Sequence, residues 1–81
     1  MKFVELYCEK ENLTALINLA RAEHILSRQI PENDENVLEE YQGYKHSIQI
    51  SFNDGRAILT FKNTDVYLEQ IKKIKEAVQC D

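Results

Sequence analysis

The clearest alternation of apolar and polar side chains runs from Tyr44 to Phe52. One face carries apolar residues and a histidine, and the other carries polar residues: His46, Ile48, Ile50 and Phe52 against Lys45, Ser47, Gln49 and Ser51. A period of two is typical of a strand with one face buried. The pattern therefore predicts a strand over residues 44–52.

The residues after this strand predict a hairpin. Asp54-Gly55 is a preferred pair for a type I′ turn, and residues 56–62 then return as the second strand. A register fixed on that turn pairs three sets of apolar residues on one face: Phe52 with Ala57, Ile50 with Leu59 and Ile48 with Phe61.

Residues 3–30 predict a strand followed by a long helix. Phe3 to Cys8 alternates, with Val4, Leu6 and Cys8 on the core face. Asn12 is predicted to cap a helix that runs to about Gln29, before Pro31. Its apolar stripe holds Leu13, Leu16, Ile17, Ala20 and His24, widened by Leu19, Leu26 and Ile30. The resulting arc covers about half the helix, which is more than one sheet needs, and Ile25 lies outside it with Arg21 and Arg28.

Two further segments complete the pattern. In residues 31–43, Asp34 could cap a short helix that carries Val37, Leu38 and Tyr41 and ends at Gly43; the alternative is a flexible acidic loop. Asn63, Thr64 or Asp65 is predicted to cap a second long helix to about Gln79. Its stripe is Tyr67, Ile71, Ile74 and Val78, with Leu68 and Ala77 beside it.

These elements predict an α+β fold in one domain over residues 1–81. The order β-α-(short α)-β-β-α indicates a two-layer sandwich, in which two long helices pack on one face of a three-stranded, mostly antiparallel sheet.

Charge is distributed unevenly along the chain. It has 14 acids and 10 bases, and five of the acids lie in residues 31–43, which contain no base. The rest of the chain is therefore nearly neutral. Such a segment is either a solvated connection or a patch that docks on a basic surface. For docking, we expect contacts from Glu35, Glu39, Glu40 and Tyr41, and from a second group on the first helix, Arg21, Ile25 and Arg28.

The sequence shows no catalytic or metal-binding motif. His24 and His46 have no marked partner, and Cys8 and Cys80 are expected to be reduced thiols, Cys8 in a strand and Cys80 at a frayed terminus. We therefore expect no catalytic residue, no metal and no cofactor. The N-terminus lacks a signal-peptide pattern, and no stretch is apolar enough to span a bilayer, which favours a cytoplasmic protein.

These observations favour a small non-enzymatic module that binds another protein with a basic surface. It would act as an adaptor or a stoichiometric inhibitor, for example of a complex that handles nucleic acid. One alternative is a homodimer formed through the first helix or the sheet. The other is single-stranded nucleic-acid binding by the open sheet face, where Phe3 and Tyr7 would lie beside Lys45 and Lys62. The acidic pI of about 5.1 disfavours nucleic acid as a partner.

Overall fold

The computed structural model describes residues 3–31 and 36–79. In these residues it contains five strands and one α-helix: β1 (Phe3–Cys8), β2 (Leu13–Asn18), β3 (His24–Gln29), β4 (His46–Phe52), β5 (Gly55–Phe61) and α1 (Thr64–Gln79). Two short 3-10 turns lie at Leu19–Arg21 and Glu39–Tyr41. The protein is α+β, but the predicted sandwich of two long helices on one three-stranded sheet is wrong.

The predicted first helix is replaced by β2, a 3-10 turn and β3. β2 pairs antiparallel with β1, from Phe3 opposite Asn18 to Cys8 opposite Leu13. This pairing satisfies backbone groups of β1 that a helix could not reach, and such tertiary contacts outweigh the modest helix preference of Leu and Ala. Asn12, the predicted helix cap, lies instead in the turn between β1 and β2 with a φ of 53°.

Strand β3 belongs to a different sheet from β1. The strand order of the second sheet is β3-β4-β5, all antiparallel, whereas β1 and β2 form a sheet of two strands. The sheets meet where β1 ends. The backbone N–H of Lys10 donates to the Thr60 carbonyl at 3.1 Å, and the Glu9 carboxylate accepts from the N–H groups of Lys62 and Asn63 at 3.2 and 3.1 Å.

The β4–β5 hairpin exists as predicted, but its register differs by two residues. Phe52 lies opposite Gly55, so Asn53 and Asp54 form the loop, and Ile50 pairs with Ala57 and Ile48 with Leu59. A type I′ turn needs positive φ at both loop residues, and Asn12 is the only non-glycine residue of the described chain with positive φ. A shift of two keeps every side chain on its predicted face.

In the described residues 36–45 before β4 there is one 3-10 turn and no α-helix, so the predicted short α-helix is wrong over these residues. The turn covers Glu39–Tyr41, and Gly43 follows with a φ of 88°, a conformation that glycine adopts without steric penalty. Asp34, the predicted cap, lies outside the described residues.

Helix α1 begins and ends as predicted. The Asn63 side-chain oxygen accepts from the N–H groups of Asp65 and Val66 at 2.9 and 3.4 Å, so Asn63 is the N-cap. The predicted stripe is only partly covered, because Ile74 is buried whereas Val78 is 47% exposed. The core combines apolar side chains of both sheets with one from the first 3-10 turn and one from α1 itself: Leu6, Cys8, Ile17, Ile48, Ile50, Leu59 and Phe61, with Leu19 and Ile74.

A buried polar side chain connects α1 to β1. Gln70 is 2% exposed. Its Oε1 accepts from the Tyr7 backbone N–H at 3.0 Å, and its Nε2 donates to the Val66 carbonyl at 3.1 Å. Gln70 therefore satisfies a backbone donor on the edge of β1 that has no neighbouring strand.

We expect Gln70→Ala to lower the free energy of unfolding by about 2–3 kcal/mol, because it leaves the Tyr7 N–H unpaired and opens a cavity. Urea denaturation monitored by circular dichroism measures this loss. The matched control is Gln79→Ala at the exposed end of the same helix, which should change stability by less than about 0.5 kcal/mol. Equal losses in the two variants would contradict the role of Gln70.

Candidate functional site

We call residues 31–43 the acidic segment; its described residues 37–41 lie beside the open face of the three-stranded sheet, the face opposite α1. Between segment and sheet is a solvent-open groove of about 310 Å³. Its floor comes from side chains of β3, β4 and β5, and its wall from Val37, Leu38 and Tyr41. Thr60 lies on this face and is only 1% exposed. Val37 and Tyr41 are half-buried and hold this part of the segment beside the sheet, whereas residues 38–40 are exposed.

Backbone bonds and one aromatic contact fix the turn at the rim of this groove. The Tyr41 N–H donates to the Leu38 carbonyl at 2.9 Å, and the Gln42 N–H to the Glu39 carbonyl at 3.2 Å. The ammonium of Lys10 lies 5.3 Å from the centre of the half-buried Tyr41 ring, a cation–π distance. Tyr41 thus anchors the turn to the loop between β1 and β2.

Three consecutive side chains of this turn face solvent. Leu38 is 63% exposed, and Glu39 and Glu40 are both exposed. Within the described residues, neither carboxylate has an ion-pair partner, since the one salt bridge there joins Lys10 and Glu11 at 3.7 Å. We call Leu38, Glu39 and Glu40 the acidic turn. Glu35, predicted to belong to the same patch, lies outside the described residues.

The second predicted contact group is not one surface. Arg21 lies in the first 3-10 turn, whereas Ile25 and Arg28 lie on β3. Side chains an odd number of residues apart point to opposite faces of a strand. Arg28 lines the groove on the open face, and Ile25 lies with Val78 on the helix side. The prediction assumed a helix, in which these residues would share one side.

The two histidines have different environments. His24 lies exposed on β3. His46 is 9% exposed, its Nε2 lies 3.0 Å from the Thr64 hydroxyl, and its ring stacks on Tyr67 with the ring centres 4.3 Å apart. The Tyr67 hydroxyl in turn hydrogen-bonds the Ser27 hydroxyl of β3. Neither histidine hydrogen-bonds a thiol or a carboxylate in the described chain, so no general-base pair is assembled there.

The Nδ1 atom of His46 is buried without a hydrogen-bond partner among the described residues. An unpaired buried nitrogen is destabilising, so the ring contributes through packing against Tyr67 and through one bond to Thr64.

The described residues contain neither a cluster of metal ligands nor a membrane-spanning helix. In residues 3–31 and 36–79, no group of three or more His, Cys, Asp or Glu side chains could hold a metal ion. Helix α1, the one α-helix in that part of the chain, is neither long nor apolar enough to cross a bilayer. Cys8 is a free thiol buried in β1, as predicted, and Cys80 is outside the described residues.

The predicted nucleic-acid platform does not form as one surface. Phe3 and Tyr7 lie in the two-stranded sheet, apart from the sheet that contains Ser47 and Gln49. The ammonium of Lys62 lies 4.8 Å from the centre of the Tyr44 ring, so that ring is already in contact with a cation. The open face therefore lacks a continuous row of aromatic rings for stacking bases.

Comparison of the chain with protein-family models, with curated proteins and with solved structures found no match. The functional proposal therefore depends on the residues and geometry described above.

We expect His46→Phe to change the free energy of unfolding by less than about 1 kcal/mol, because phenylalanine keeps the stack on Tyr67 and removes the unpaired nitrogen. His46→Ala should lower it by about 2–4 kcal/mol, since it leaves a cavity. Chemical denaturation of both variants checks this difference. A loss for His46→Phe as large as for His46→Ala would show that the nitrogens matter more than the packing.

Proposed function

We propose that this protein is a non-enzymatic interaction module that docks through its acidic turn onto a basic surface of another protein. Exposed Glu39 and Glu40 without ion-pair partners in the described chain, beside the exposed Leu38, are the observation that carries the proposal. Carboxylates attract Lys and Arg side chains and increase the rate of encounter, while an apolar side chain next to them gains free energy when a partner covers it.

The turn also has contacts of its own that restrict its backbone. Its hydrogen bonds to Leu38 and Glu39, and the anchoring of Tyr41 by Lys10, already restrict the backbone. A preorganised turn loses less conformational entropy on binding than a flexible loop would. This supports docking over the alternative that the segment is only a solvated connection.

The groove beside the turn offers a place for a side chain of the partner. Its lining combines the apolar Val37 and Ile58 with the charged Arg28. Its other lining residues include the polar Ser47, Gln49 and Thr60. Pockets at protein interfaces often receive a single anchoring side chain. The protein would then act by occupying its partner's basic surface, as an adaptor or a stoichiometric inhibitor. A basic surface that binds nucleic-acid phosphates has the required chemistry.

Affinity capture with two charge-reversed variants tests the proposal. Glu39→Lys with Glu40→Lys reverses the acidic turn, whereas Glu69→Lys with Glu76→Lys makes the same net change at exposed positions of α1. We expect the first double variant to reduce the yield of captured protein about tenfold, because two favourable charges become repulsive. The second should capture as much as wild type.

A photo-crosslinking residue at Leu38 adds a direct measurement. The captured protein should crosslink from this position, and not from the exposed Leu68 of α1. Equal yields from both charge-reversed variants, with matching circular dichroism spectra, would show that the acidic turn is only a solvated connection.

A further inference from the structure

Strand β3 is the most exposed strand in the described chain. All six residues from His24 to Gln29 are exposed, and among the described strands β3 pairs with β4 alone, so its other edge is open there. Edge strands are normally protected by proline, by lysine or by a bulge within the strand. Arg28 is the one charged residue within β3, and its sequence, HILSRQ, contains neither proline nor lysine.

The hydrogen-bonding groups at the open edge belong to Ile25, Ser27 and Gln29. The N–H of Ile30 donates to the Lys45 carbonyl at 2.8 Å, which fixes which backbone groups point towards β4. These groups alternate along an antiparallel pair. The N–H and C=O groups of Ile25, Ser27 and Gln29 therefore point away from β4, and in the described chain they have no partner.

We propose that two copies of this protein associate by antiparallel pairing of β3 with β3 of the partner copy, about a two-fold axis at Ser27. Ser27 then lies opposite its symmetry mate, and Ile25 opposite Gln29 of the other copy. All three outward N–H groups and all three outward carbonyls on each copy find a partner. A self-complementary contact of this kind closes as a dimer and does not propagate.

The neighbouring registers are less favourable. An axis at Leu26 leaves the outward groups of Gln29 unpaired. An axis at Arg28 places two guanidinium groups directly opposite each other, and like charges in that position repel. In the register centred on Ser27, Leu26 lies instead beside the aliphatic part of Arg28 of the other copy, on the open face.

The residues that flank the strand limit the pairing to these positions. The Glu23 N–H already donates to the Ser51 carbonyl at 2.8 Å. Pro31, the next outward position after Gln29, has no N–H to donate. In the register centred on Ser27, Glu23 of one copy lies opposite Pro31 of the other. The hydrogen-bond ladder between the copies therefore ends there, because neither residue has an N–H available to donate.

The dimer should be weak, since a contact formed by one strand pair is smaller than the interface of about 1,200 Å² that specific complexes typically bury. We expect it to form in the range from about 10 μM to about 1 mM. Sedimentation equilibrium across this range should show the average mass rising from 9.5 kDa towards twice that value.

Two substitutions at Leu26 test the register. Leu26 is 42% exposed, so either change should leave the fold intact. In the proposed register Leu26→Glu places a carboxylate opposite Arg28 of the other copy at two symmetric positions, and should tighten the dimer about fivefold. Leu26→Lys places a like charge there and should weaken the dimer by a similar factor.

The opposite effects of the two variants are the required result. With the axis at Leu26, either variant would oppose like charges, and both would weaken the dimer. A change in the same direction for both, an unchanged dimer in both, or a constant mass of one copy throughout the range would each overturn the proposal. None of these results depends on the acidic turn, so they are separate from the test of the proposed function.

Discussion

The structure depends on the bond between the Gln70 side chain and the Tyr7 backbone. A two-stranded sheet is marginal by itself, and a small three-stranded sheet needs cover for its apolar face. Helix α1 provides that cover for both sheets, and Gln70 holds it against β1. A buried amide tolerates few alternative positions because its polar atoms must all be satisfied. Together with the bonds that Glu9 and Lys10 make to Thr60, Lys62 and Asn63, this bond positions the two-stranded sheet relative to the helix.

The parts of the fold that could be predicted are those with strong local signals. Strand β1, the faces of β4 and β5, and the start of α1 follow from alternation and capping chemistry, although the sequence left Asn63, Thr64 and Asp65 as equal candidates for the cap. The helix predicted for residues 13–29 was wrong. Leu and Ala slightly favour a helix, whereas the pairing with β1 that decides the structure joins residues distant in sequence. Two warnings were present in the sequence. The apolar arc was wider than a helix on one sheet needs, and Ile25 lay outside it.

Some features of the candidate site could likewise be predicted from the sequence, and others could not. Glu39 and Glu40 were identifiable because a charge imbalance is visible in sequence alone. The anchoring of Tyr41 by Lys10, the groove with Arg28 and the role of Gln70 could not be predicted, since each joins residues from separate elements. Nothing in the sequence shows which group a glutamine on an otherwise apolar helix face will hydrogen-bond. Ile25 and Arg28 were predicted to share one surface because a helical period of 3.6 was assumed. Both residues lie on a strand, where the period is two and their side chains point to opposite faces.

The exposure of β3 follows from having one helix to cover two sheets. The helix reaches β3 through the hydroxyl pair Tyr67–Ser27, yet all six residues of the strand remain exposed. Pairing β3 with β3 about an axis perpendicular to the sheet would leave both helices on one side and both acidic turns on the other. Two linked copies of a weak docking surface can bind a repeated or extended basic surface more tightly than either copy alone. On these two proposals, dimerisation through β3 would add valence to the proposed docking surface.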